Sequence, residues 1–233
     1  MRNSYSSSKI SQPKEIEQTF DLYAEDFDRW FSENKKIYLS ELYALQACRP
    51  YGRILDVGVG TGVFASKLGV EVGIDVSAVM LEKSRKRGID VVQADVKALP
   101  LRSRSFNTVI STFTICFVNH VQGMLEEACR VLKHGGMFVL GEITLDSAWG
   151  KVYSKRGRAG HRFYSKASFF TYSQTVKMLS SSTFSITSVY GTLDFGPEDE
   201  PSVETPTELK PDDYDSVSRF GFIAIASTSP FMN

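Results

Sequence analysis

Asp56, Gly58, Gly60 and Gly62 are the residues whose types and spacing most directly imply chemistry in this 233-residue chain. They close the run Ile54-Leu55-Asp56-Val57-Gly58-Val59-Gly60-Thr61-Gly62. An apolar run that ends in a carboxylate and breaks into alternating glycines reads as a buried strand entering a tight turn, with a helix to follow. Glycines let backbone approach a ligand closely. The first N–H groups of the following helix are free to donate. Gly60-Thr61-Gly62-Val63-Phe64-Ala65 also fits the G-x-G-x-x-A form that cradles a dinucleotide pyrophosphate. Asp56 opposes that reading. A carboxylate about 4 Å from a phosphate charge is repelled by roughly 4 kcal/mol at an effective dielectric of about 20, and an ammonium is attracted by a similar amount.

S-adenosylmethionine (SAM) carries an ammonium, a sulfonium, a ribose and an adenine, and no phosphate. On charge, Asp56 favours SAM. Residues 70–74 form a second apolar strand, closed by Asp75. An acid there can accept both ribose hydroxyls, in NAD and SAM sites alike. Residues 89–93 form a third strand, followed by Ala94-Asp95-Val96. The Asp95 carboxylate can accept from an adenine amino group, and the amide after it can donate to a ring nitrogen. The segment after strand four, residues 112–120, is placed to run past a sulfonium. Backbone carbonyls near Thr112 suit the ammonium, and Phe113 and Phe117 offer apolar and π surface.

Together with Ser105-Phe106-Asn107-Thr108-Val109-Ile110 and Arg130-Val131-Leu132-Lys133-His134-Gly135-Gly136, these motifs resemble, in order, those of class I SAM-dependent methyltransferases. The likeness runs from about residue 23 to residue 227 and is strongest to the small-molecule branch around the ubiquinone and menaquinone methyltransferases. Residues 162–171 look like a compact prokaryotic subgroup. Position 107 is Asn where the family usually has Asp; it opens strand four and reads as structural. The resemblance implies an α/β, Rossmann-like three-layer sandwich. Its mostly parallel seven-stranded sheet has the order 3-2-1-4-5-7-6 with the last strand antiparallel. It implies SAM as cofactor, S-adenosylhomocysteine (SAH) as product, and no metal. The cofactor set carried over is Tyr23, Asp56, Gly58, Gly60, Thr61, Gly62, Asp75, Val76, Ser77, Met80, Ala94, Asp95, Val96, Thr112, Phe113 and Phe117. Tyr23 would close over the methionine end.

Methyl transfer needs alignment more than a catalytic side chain. A general base helps when the nucleophile carries a proton of high pKa. His120 is the base candidate by position, with His161 and Tyr164 behind it. Cys116 is a poor nucleophile candidate. Trp149 and Tyr153, four apart, share a helical face as packing or pocket wall. No Asn/Asp-Pro-Pro-Tyr/Phe run follows strand four, which disfavours amino methylation of DNA bases or protein glutamine. A small molecule is the expected acceptor. A non-catalytic SAM-binding protein and an NAD-dependent oxidoreductase are the alternatives.

Around these motifs, helices at 15–31, 35–47, 62–67, 78–86, 121–132 and 172–179 alternate with strands, the last two at 184–190 and 221–227. Residues 1–13 read as a polar, disordered tail, and 14–229 as one domain with a helical cap at 14–48. Lid-like segments fall at 146–170 and 194–215. The first contains a basic run at 151–166; the second holds nine acids and four prolines. They are expected to attract each other over the site. Formal net charge is zero, so nothing signals nucleic acid. No run is long enough to span a membrane. Three separated cysteines give neither a disulfide framework nor a zinc pattern, and suit a reducing cytoplasm. A monomer or homodimer is expected.

Overall fold

Strand β1 (Ile54–Val57) is buried at every position, which is the mark of a central parallel strand covered on both faces. In the computed structural model, which describes residues 13–230, it pairs in parallel with β2 (Val72–Asp75) and β4 (Phe106–Thr112). Parallel pairs add β3 (Asp90–Gln93) beyond β2 and β5 (Leu132–Glu142) beyond β4. Past β5 the sheet turns antiparallel. There β8 (Phe222–Thr228) lies between β5 and β6 (Ser185–Thr192), and a three-residue edge strand β7 (Thr207–Leu209) pairs with β6. The order is 3-2-1-4-5-8-6-7. The expected seven-strand order is therefore present, with one added edge strand. Residues 1–12, read as a tail, lie outside the described residues.

Helices cover both faces. Helix α3 (Lys35–Ala47), α4 (Ala78–Lys86) and α6 (Ala148–Arg158) supply Leu42, Leu45, Leu81, Trp149 and Tyr153 to the core on one face. Helix α5 (Val121–Val131), α7 (Tyr172–Ser181) and α8 (Tyr214–Arg219) supply Met124, Leu125, Tyr172, Leu179 and Val217 to the other. Side-chain caps start these helices. Ser77 accepts from the Met80 N–H ahead of α4, and Thr171 and Gln174 form a capping box on α7. Among the described residues, no helix is long and apolar enough to cross a membrane.

Two expectations are corrected. The stretch 15–31 is two helices, α1 (Pro13–Leu22) and α2 (Ala24–Glu33), with the bend at Tyr23. The bend lets Phe20 of α1 and Phe27 of α2 both meet Phe163, at ring-centroid distances of 5.4 and 5.7 Å. The helix expected at 62–67 shrinks to a single 3-10 turn, Ala65–Lys67. Gly69 at φ +70° closes it, and the Val70 N–H donates back to the Ala65 carbonyl. A turn this short has no macrodipole to offer an anion, which removes the physical basis of the pyrophosphate reading.

The charges of the basic segment pair elsewhere, and α6 meets the acidic loop instead through the Trp149 indole N–H, which donates to the Phe195 carbonyl at 2.7 Å. Arg162 pairs with Asp26 and Lys166 with Glu15, both on the cap, while Asp194 pairs with Arg219. Among the described residues, no ion pair joins 151–166 to 194–215. The cap is also tied to the glycine turn. Arg87 donates to both Asp28 oxygens, at 2.8 and 2.9 Å, and to the Thr61 carbonyl at 2.8 Å. Substituting Arg87→Ala should speed amide exchange across Ala24–Glu33 while leaving β1 protected. Unchanged exchange in α2 would mean that its aromatic contacts alone hold it.

Candidate active site

The carboxyl ends of β1, β2 and β4 meet at one cavity of about 120 Å³. Chain reversal after β1 requires glycine. Gly58 has φ +82°, and a Cβ there would lie 2.2 Å from Thr114 Oγ1. Gly60 is different, because a Cβ there would meet only Phe27 at 3.9 Å. Its backbone faces open space. Asp75 fixes this turn: the Gly60 N–H donates to one oxygen and the Ser77 N–H to the other, each at 2.9 Å. Asp56 is 3% exposed and its Oδ1 has no hydrogen-bond partner.

Ten of the sequence-derived cofactor residues line this cavity. They are Gly58, Gly60, Asp75, Val76 and Met80 from the first two turns, Asp95 and Val96 after β3, and Thr112, Phe113 and Phe117 after β4. The other six lie behind or beside it. Asp56 and Thr61 are buried under the turn, and Gly62 packs on Ser84 and Ile89. Ser77 caps α4 and donates its hydroxyl to Asp21 at 2.6 Å. The Ala94 N–H bonds to the Asp75 carbonyl. Tyr23 is turned away from the cavity, with the Arg162 guanidinium 4.9 Å over its ring. Sequence reading missed Asp21 and Arg87, which act across elements far apart in sequence, and Lys97. The Lys97 ammonium sits 3.3 Å from Asp95 and donates to Asn119.

A second cavity, of about 210 Å³, adjoins the first. Both are lined by Phe27, Phe113 and Phe117. Phe113 takes φ +56° at the end of β4, a conformation that a bulky residue adopts only where its surroundings demand it. The far walls of the second cavity come from α2, α3, α6 and residues 161–170.

Comparison with known proteins decides the family. Residues 55–140 match the methyltransferase domain model. An uncharacterized protein of Methanocaldococcus jannaschii is 40% identical over 160 residues, covering 69% of this chain and 78% of that one. A SAM-dependent methyltransferase of Thermotoga maritima, described as a possible histamine N-methyltransferase, superposes with a TM-score of 0.85 at 32% identity over 92% of this chain and 99% of that one. The chain belongs to the class I SAM-dependent methyltransferases. A Renibacterium salmoninarum demethylmenaquinone methyltransferase is 37% identical over a shorter stretch, 41% of this chain and 43% of that one.

The three base candidates of this methyltransferase fall in different places. His120 is exposed, caps α5 by accepting from the Gly123 N–H at 3.1 Å, and lines neither cavity. His161 and Tyr164 line the second cavity, their rings stacked at 4.3 Å. Burial first, and then Arg162 and Arg156, hold the His161 imidazole neutral. Burial pushes the Tyr164 phenol up to about 12, so it keeps its proton at neutral pH. The Cys116 thiol lines the same cavity and is also raised by burial, with Glu142 adding to the effect.

Three buried acids of the methyltransferase are displaced upward. Asp56 is pushed to about 8 by burial and then by the charge of Asp75. Glu142 is pushed to about 8 by burial, with Thr175 opposing and Asp146 adding. Glu41 is raised well above the usual range by burial. Asp56 is thus mostly neutral in the empty protein at pH 7, and its charge argument applies to the ionised form that an ammonium would restore. In the unfolded chain these acids ionise in the ordinary range. From there up to about pH 8 for Asp56 and Glu142, the folded state keeps protons that the unfolded state has released, so their stabilising contribution is lost as pH rises, and Glu41 acts in the same direction. The melting temperature of ligand-free protein should fall between about pH 6 and about pH 8.5, and Asp56→Asn should flatten the fall. An equal slope in the variant would show that Asp56 ionises normally when folded.

Proposed function

We propose that the cavity at the glycine turn holds SAM and that the adjoining cavity holds a small-molecule methyl acceptor. The observation that carries this reading is the shared wall of Phe27, Phe113 and Phe117, which brings two separate cavities together at one edge. The residues present fit SAM. Asp75 has its carboxylate anchored by two N–H groups and still borders the cavity, which suits ribose hydroxyls. Asp95 and Val96 would face the adenine edge. The open backbone at Gly60 and the unpartnered Asp56 oxygen beneath it suit the methionine end. When bound, SAM supplies a methyl carbon on a sulfonium, a good leaving group for in-line displacement.

The protein's own contribution is alignment and exclusion of water. Phe27, Phe113 and Phe117 give an apolar junction where a nucleophile can approach at near-attack distance. Ile16 and Phe20 of α1 complete the lid of the first cavity. The open second cavity favours turnover over a binding-only role. Asp56 and the antiparallel β8 speak against an NAD-dependent oxidoreductase.

Calorimetry tests the cofactor assignment. SAH should bind without added metal and NAD should not bind at comparable concentration. A hydrogen bond to a charged group contributes about 1.5–3 kcal/mol, so Asp75→Ala should weaken SAH by roughly 10- to 150-fold. Asp75→Asn keeps an acceptor oxygen for the turn and should lose less. Tight NAD binding with none for SAH would overturn the assignment, and full SAH affinity in a folded Asp75→Ala protein would remove Asp75 from it.

A further inference from the structure

Two buried acids, each with one oxygen that lacks a hydrogen-bond partner, border the second cavity. Glu41, on α3, is 1% exposed, and its Oε2 has no hydrogen-bond partner. Glu142, the last residue of β5, is 4% exposed, and its Oε1 has none. They approach from opposite faces of the sheet. Glu41 sits among the α3 residues packed on one core, and Leu140, two before Glu142 on the same strand face, belongs to the other. Between them the walls are aromatic, with Trp30, Phe31, Tyr153, Tyr164 and Phe169. Two arginines also border the cavity. Arg162 pairs with Asp26, and the exposed Arg156 lies 5.8 Å over the Tyr153 ring.

A buried carboxyl with an unpartnered oxygen is costly as an anion and still incompletely satisfied as an acid, even where, as at Glu142, the Thr175 hydroxyl partly compensates. An anionic ligand would raise that cost, and an apolar one would leave both oxygens orphaned. A cation relieves it, and π faces around a cation add to the gain. Resting on the two-cavity reading above, we propose that the methyl acceptor is a small organic amine, recognised by Glu142 and Glu41. Glu142 takes the nitrogen that is methylated, because it adjoins the shared wall: Gly141, before it, accepts from the Phe113 N–H at 2.8 Å. Glu41 anchors the far end beside Tyr153 and Tyr164.

The proton balance is explicit. The empty acid is neutral, so binding an ammonium ionises Glu142 and releases one proton to solvent. The bound ammonium then passes a proton to the Glu142 carboxylate and exposes the nitrogen lone pair. The nitrogen–carbon bond forms as the carbon–sulfur bond breaks, with its electron pair left on sulfur, and the product leaves as a methylated ammonium. Other titratable groups face these acids. Glu41 is near Tyr38 of its own helix, Tyr153 and Tyr164. Glu142 is near Cys116, Asp146 and Tyr172. The phenols and the thiol are all pushed upward and stay protonated at pH 7.

The test uses the full chain loaded with SAH and matched probes carrying an amine, alcohol, thiol or carboxylate on phenylethyl, imidazolylethyl and butyl bodies. On at least one body the amine should bind roughly 10- to 150-fold more tightly than its alcohol. In buffers of different ionisation enthalpy, that amine should release about one proton per molecule bound at pH 7 and the alcohol none. Glu142→Gln should abolish the release and lower turnover with SAM by about 10²–10⁴-fold. Glu41→Gln should weaken amine binding while the release persists. Both variants should keep wild-type SAH affinity, which checks their folding. No amine preference on any body, or undiminished release in Glu142→Gln, overturns the inference. Failure of the wild-type protein to bind SAH would instead overturn the two-cavity reading.

Discussion

The carboxylate of Asp75 is the single group on which the site geometry depends. It accepts one N–H from the turn after β1 and one from the turn after β2, so two loops that would otherwise move independently share one anchor. Burial raises its pKa, while the Ser77 and Gly60 N–H groups hold it down. Ser77 passes the constraint outward. It caps α4, and its hydroxyl donates to Asp21 on α1, so the cap is registered to the floor of the first cavity. One charge thereby couples the sheet edge, the first helix of the cap and the turn at Gly60, whose backbone borders the first cavity.

The cap adds a second layer of constraint, and it is apolar. Phe163 meets Phe20, Tyr23 and Phe27 within 6.0 Å, which ties α1, the Tyr23 bend and α2 to the segment after α6. Ion pairs from Arg162 and Lys166 surround this cluster. Exposed pairs contribute about 0–1 kcal/mol each, so the aromatic contacts carry the closure and the charges set its register. A closure built this way can open without breaking the sheet. Phe27 of α2 lines both cavities, so the cap forms part of the wall of each.

The sheet was legible in the sequence because its strands are short apolar runs closed by Gly or Asp. The central strand order and the antiparallel β8 follow from the family motifs. What was not legible depends on tertiary context. Strand β7 is three residues between Pro206 and Pro211, too short to show alternation. Helix α6 contains Gly150 and Gly157 and was visible only as the Trp149–Tyr153 spacing. Gly150 is required because a Cβ would lie 1.9 Å from the Thr144 carbonyl oxygen. The Tyr23 bend has no Pro or Gly to announce it and is imposed by packing on Phe163. Around the first cavity, the residues proposed for the cofactor that border it were legible by type and spacing, whereas Tyr23 and His120 border neither cavity. Glu41 and Glu142 were invisible as residues bordering the second cavity. A Glu in a helix or at a strand end is unremarkable until the fold buries it.

Those buried acids show where the fold gives up stability. Asp56, Glu41 and Glu142 are all nearly inaccessible, and each has an unpartnered oxygen. A core built for stability alone would place apolar groups of similar volume there. The parallel sheet explains how the protein tolerates the three. They sit at or beside the carboxyl end of the sheet, while the apolar side chains of β1, β4, β5 and β8 fill the two cores behind them. The cost of these three acids thus falls at the edge proposed to bind ligands, where a ligand that supplies cations or donors at those oxygens would recover stability as binding free energy. That separation lets one edge of the sheet be reshaped for a particular acceptor without altering the core that supports it.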